Sequence, residues 1–152
     1  MPATDPDARA AATMRRRLVG GIVASICALV LGVAWLLSPA ADGHGTHMQL
    51  GMPVCGWVQA IGMPCPTCGM TTSFALAADG RLADSFVNQP AGALLALATA
   101  IGLLVGVHTA LTGSVSHVLL GRLWRGWMWW AILAIGLGAW GWKIVTMKGL
   151  AG

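Results

Sequence analysis

The chain has 152 residues, of which 9% are charged and 57% hydrophobic, with 21 glycines. A soluble domain carries about 25% charged residues to cover its surface, so this composition excludes an ordinary water-soluble globule and points to lipid. The net charge of +4 is small and gathered near the N-terminus, and no Lys/Arg patch is interleaved with aromatics, which excludes nucleic acid as a partner.

Residues 1–17 read as a basic cytoplasmic tail containing Arg9, Arg15, Arg16 and Arg17. The first uncharged run follows at 18–38. Two more come at 91–111 and 128–147, the last interrupted only by Lys143. Each is about 20 residues, the helix length that crosses roughly 30 Å of hydrocarbon. A helix is the natural form there, because its backbone polar groups bond one another where no water is available. The expected fold class is an all-α integral membrane protein: three transmembrane helices in a single membrane domain, 18–152. The Arg-rich start and Ser38-Pro39-Ala40-Ala41 also fit a secretory signal. The apolar run exceeds the roughly 7–15 residues of such a signal, so an uncleaved anchor is expected.

Lys and Arg set the orientation. Arg9, Arg15, Arg16, Arg17, Arg122 and Arg125 share one side, and Arg81, Lys143 and Lys148 the other. The N-terminus is therefore expected in the cytoplasm and the C-terminus outside. Lys143, one turn from the outer end of its helix, is expected to snorkel to the headgroups. Trp35, Trp140 and Trp142 near the outer ends, and Trp124, Trp127, Trp129 and Trp130 near the inner one, fit aromatic belts. Gly20, Ala24, Ala28 and Gly32 form a small-residue stripe on the first span. Ala98, Gly102 and Gly106 do so on the second, and Ala134 and Gly138 on the third. Such stripes let helices approach closely, within the chain or against other membrane subunits. Cys27 and His108, inside the spans, read as packing residues.

The outer segment, 39–90, holds the chemistry. It opens with a polar stretch containing His44 and His47, read as flexible loop. Val54 to Gly62 is apolar but too short to span, so it is expected to lie in the interface or re-enter. The densest motif follows: Met63-Pro64-Cys65-Pro66-Thr67-Cys68-Gly69-Met70-Thr71-Thr72. Its prolines and Gly69 predict a tight turn with both thiols on one side. Thr71 or Thr72 is expected to cap a short helix running to about Ala78, which Asp79-Gly80 stops. Asn88 is expected to cap the second span, with Pro90 in its first turn.

With Cys55 upstream, Cys65-Pro66-Thr67-Cys68-Gly69-Met70-Thr71 resembles the signature of a family of small bacterial membrane proteins catalogued as domain of unknown function 2752. The resemblance covers about residues 55–100, taking in Gly80, Asn88 and Pro90. Thr72 departs from the Arg that many members carry there, and Gln89 separates Asn88 from Pro90. The resemblance implies fold, topology and a bacterial cytoplasmic (inner) membrane location rather than an activity.

Three outer cysteines admit three readings. As metal ligands, Cys55, Cys65 and Cys68 supply three of the four positions of a tetrahedral site, and His44 or His47 the fourth. Zinc suits that set. Copper suits it too, because Met48, Met52, Met63 and Met70 add soft thioethers. As a redox centre, the Cys-x-x-Cys pair cycles between dithiol and disulfide, with Cys55 as resolving partner. As a structural device, a Cys55 bridge closes a short loop in an oxidising compartment. No phosphate loop, Ser/His/Asp set or metalloprotease helix is present, and no small-molecule substrate is read. The leading expectation is a non-enzymatic membrane protein, an accessory subunit with a metal-binding or disulfide-stabilised motif. A membrane thiol–disulfide oxidoreductase is the runner-up and a copper-handling protein the third.

Overall fold

A computed structural model describes residues 6–114 and 127–149. Its elements are α1 (Pro6–Leu36), a 3-10 turn (Thr46–Leu50), α2 (Gly56–Ile61), α3 (Met70–Ala78), α4 (Leu82–Asn88), α5 (Pro90–Thr112) and α6 (Trp127–Gly149). No strand occurs among the described residues, and three helices are long and apolar enough to cross a membrane. These are α1, α5 and the stretch Met128–Met147 of α6, and most of their side chains face outward. The cysteine motif lies between the first two, as the fold class requires. Arg122, Arg125 and Trp124, used above for orientation, lie outside the described residues.

α1 begins well before the expected span. Pro6 starts it, where a missing N–H costs nothing, and no proline or glycine interrupts the chain before Gly20. The basic tail is thus helical from Pro6 onward. Thirty-one residues make a helix of about 46 Å, longer than a bilayer's hydrocarbon.

The chain divides into two compact units. The first joins Met1–Val30 to Thr99–Arg125. Here the small-residue stripes do their expected work over part of their length. A Cβ on Gly106 would come within 2.8 Å of the Ala24 nitrogen, and one on Gly20 within 2.8 Å of the Gly106 oxygen. Half-buried Cys27 rests against Gly102, its sulfur 3.3 Å from where a Cβ would stand. His108 is exposed rather than packed.

The second unit comprises Leu31–Ala98 and Gly126–Gly152. Gly32 and Gly138 have open space around them, so the Gly32 end of the first stripe and the Gly138 end of the third make no close approach among the described residues. Four further expectations are corrected here. The polar stretch around His44 is pinned rather than free. Fully buried Thr46 accepts from the Ala40 N–H and shares a 2.8 Å hydroxyl hydrogen bond with Thr72. Gln49 exchanges two hydrogen bonds with the Ser38 backbone. Second, neither Thr71 nor Thr72 caps α3. Gly69 does so, at a φ of 84° that only glycine adopts without strain, and Thr72 is free to meet Thr46. Third, Asn88 ends α4, and extended Gln89 precedes Pro90 in its place. Fourth, Lys143 does not snorkel. It is 3% exposed, and its ammonium donates to the Gly43 oxygen, to Asn88 Oδ1 and, more weakly, to the Asn88 oxygen.

The stop at Asp79-Gly80 forms as expected. The Gly80 N–H returns to the Ala77 oxygen and the Arg81 N–H to the Leu76 oxygen, a Schellman closure. The turn brings α4 back along α3. Ser73 Oγ then donates to the Ser85 oxygen, and Ser85 Oγ to the Ser73 oxygen.

Candidate metal centre

Two features of local sequence shape the thiol turn. Pro66 fixes the chain after Cys65, and the Cys68 N–H returns to the Cys65 oxygen at 3.0 Å. Gly69 then swings the chain directly into α3, which places Cys68 buried at the helix entrance. Cys55 arrives from upstream as the residue before α2, at its N-cap position. The three sulfurs lie within 4.8 Å of one another, and all are free thiols.

The thiols are electrically unequal. The Val58 N–H holds the Cys55 thiol below its ordinary value; partial burial opposes this, and the Trp57 N–H and Cys65 add to the lowering. Burial pushes the Cys68 thiol up to about 11. Charge on Cys65 and Cys55 adds to that rise, and the Lys143 ammonium opposes it. The Cys65 sulfur lies 3.3 Å from Thr67 Oγ1.

The expected histidines separate. His47 lines the same cleft of about 340 Å³ as the three cysteines, together with Met52 and Met70. Its Nε2 lies 3.1 Å from the Pro53 oxygen. A carbonyl only accepts, so Nε2 carries the hydrogen and the neutral ring keeps its lone pair on Nδ1. His44 turns away, with Nδ1 on the Asp42 oxygen at 2.9 Å and Nε2 3.8 Å from the Asp42 carboxylate. Neither imidazole joins the three-sulfur cluster itself. Met48 and Met63 do not line the cleft.

The last span supplies supports that the motif alone did not reveal. Trp140 donates its indole N–H to the Pro64 oxygen at 2.9 Å and meets the Trp57 ring edge-on at 6.3 Å between centroids. Trp142 donates to the Val87 oxygen. Asn88 donates to the Gly69 oxygen and to Ser73 Oγ. Buried Gln89 donates to the Pro66 oxygen inside the Cys-Pro-Thr-Cys turn. The one advance signal was Lys143 itself, a charge inside an apolar run.

A helical chain with three bilayer-length apolar helices and a three-thiol turn between the first two defines a class of small membrane protein. Residues 55–103 match the family model described as "Protein of unknown function (DUF2752)", the family that the motif resembles. No curated protein and no solved structure matches the chain.

Proposed function

We propose that this is a non-enzymatic, multi-pass protein of the bacterial cytoplasmic membrane, an accessory subunit whose outer segment binds one metal ion through Cys55, Cys65 and Cys68. The observation that carries this reading is the approach of three thiols to within 4.8 Å. Metal–sulfur bonds of about 2.3 Å at tetrahedral angles separate sulfurs by about 3.8 Å. Closing on an ion therefore asks about an ångström of movement from the two thiols of one turn and the Cys55 thiol beside them. His47 is the fourth ligand, offering Nδ1 while Nε2–H stays on the Pro53 oxygen. Outer-shell hydrogen bonds of this kind accompany most metal-bound imidazoles. Zinc fits that set. Cu(I) fits it as well, favoured by the thioethers of Met52 and Met70 on the same cleft.

The test is metal analysis of protein purified anaerobically, beside a Cys65→Ser/Cys68→Ser control. We expect about one zinc or copper per chain in the wild type and none in the control. Wild-type protein without bound metal sinks the reading.

A second reading, thiol–disulfide exchange, is favoured by the lowered Cys55 thiol. Cys55 and Cys65 would pass two electrons and two protons to a partner disulfide and close on each other. Thiol trapping in cells separates the cases. Partner-linked species favour exchange, a permanently closed pair favours a structural disulfide, and metal-protected free thiols favour the centre proposed first.

A further inference from the structure

Lys143 has no role in the metal reading as stated, yet its position is costly. An ammonium at 3% exposure in a bilayer-length helix has surrendered its hydration. The oxygens it meets among the described residues, those of Gly43 and Asn88, carry no charge. Beyond them the Cys68 thiol and, more weakly, the Asp42 carboxylate on the same cleft act on its charge, and neutral dipoles are by themselves weak compensation for a buried cation.

The thiol turn is its other neighbour. A Cβ built on Gly69 would stand 2.8 Å from Nζ, and Gly69 is bonded directly to Cys68. Asn88 bridges the two, accepting from Nζ through Oδ1 and donating through Nδ2 to the Gly69 oxygen. The cation on the last span thus abuts the backbone that carries the most buried thiol. The field it exerts on Cys68 favours the thiolate.

Resting on the metal reading above, we propose that Lys143 is the charge-compensating residue of the thiolate centre and biases it toward soft monovalent cations. Three thiolates around a divalent ion leave a net charge of −1, and around a monovalent ion −2. A fixed positive charge beside the site stabilises the second complex more, because Coulomb energy scales with the product of charges. Low local polarity keeps that difference from being screened away. A Lys143 that served only to hold the Gly43 and Asn88 oxygens would affect both ions alike.

The experiment uses the full chain in detergent under anaerobic conditions, with Cu(I) and Zn(II) affinities each measured against a chromogenic chelator. The variants are Lys143→Met, Lys143→Gln and Lys143→Arg. In the neutral variants the loss of Cu(I) affinity should exceed the loss of Zn(II) affinity by about tenfold. The Arg variant, which keeps the charge, should hold the wild-type Cu(I)/Zn(II) ratio to within about threefold. Equal losses for the two ions, or no loss in folded neutral variants, overturn the proposal and leave the metal reading standing. Wild-type protein that binds neither ion overturns both. Should the neutral variants fail to fold, Lys143→His decides, compared with wild type as pH rises through the imidazole's range: a Cu(I)/Zn(II) ratio that falls in the variant alone supports the charge role, and one that tracks wild type overturns it.

Discussion

Cys55 and Cys68 face one another with opposite electrostatic biases, and chemistry should expose the difference. Cys55 sits before a helix whose Val58 N–H faces its sulfur, whereas Cys68 is buried with other thiols around it. The thiolate is the nucleophile. In metal-free protein near neutral pH, an alkylating reagent should therefore label Cys55 before Cys68, as read by mass spectrometry of timed samples. Equal rates would contradict the geometry. The same bias has a stability consequence. Cys68 holds its proton more tightly in the folded chain, up to about 11 against an ordinary value near 9. Its contribution is complete below the lower value and is lost as pH climbs from about 9 to about 11. The metal-free protein should melt at falling temperatures across that window, and Cys68→Ala should flatten the slope. An unchanged slope in that variant would place the alkaline transition elsewhere.

At the scale of elements, the outer segment is held by pairings that local sequence does not announce. The turn, its glycine and the helix stop after Ala78 were legible because each depends on neighbours only a few residues apart. The motif likewise put Cys65 and Cys68 on one side of the turn, since proline, glycine and thiol spacing are local properties, whereas Cys55 was only a candidate to join them. Other contacts were not legible. Thr46 meets Thr72 across 26 residues and Lys143 meets Gly43 across 100. A hydroxyl or an ammonium has several plausible partners until the fold selects one. That is why Asn88 read as a helix cap and Lys143 as a snorkelling side chain. Both instead converge on Gly69, where burial makes an unmet hydrogen bond expensive. The reciprocal Ser73–Ser85 pair fixes α4 on α3 in the same way. Ser85→Ala removes one of its two hydrogen bonds and should cost about 1 kcal/mol. In the first unit, Gly106→Leu drives a side chain into the Ala24 backbone 2.8 Å away and should cost about 1–3 kcal/mol. Thermal melts in detergent measure both, and a Gly106→Leu protein as stable as the wild type would show that this close approach is not made.

At the scale of the whole molecule, charge sets which face of the bilayer the thiol turn occupies. Positive residues flanking the spans decide this. Arg9, Arg15, Arg16 and Arg17 extend along the start of α1, on exposed or half-buried positions where they can meet lipid phosphates. The opposing set is weaker than its count suggests. Lys143 is turned into the protein and bonded to its oxygens. Arg81 is tied to Asp84 at 2.7 Å. The balance therefore favours the N-terminus in the cytoplasm, with Cys55, Cys65 and Cys68 on the far side, where an oxidising compartment makes metal occupancy or pairing relevant. Alkaline phosphatase, active only after export, reads this directly. Fusions after Gly80 and after Gly152 should be active, and one after Thr112 inactive. Replacing Arg15, Arg16 and Arg17 together with Glu should blur or invert that pattern while leaving the apolar runs intact. Activity after Thr112 with silence after Gly80 would invert the topology, placing the thiols in the reducing cytoplasm. There a structural disulfide loses its rationale, whereas a metal centre of the same three sulfurs keeps its own.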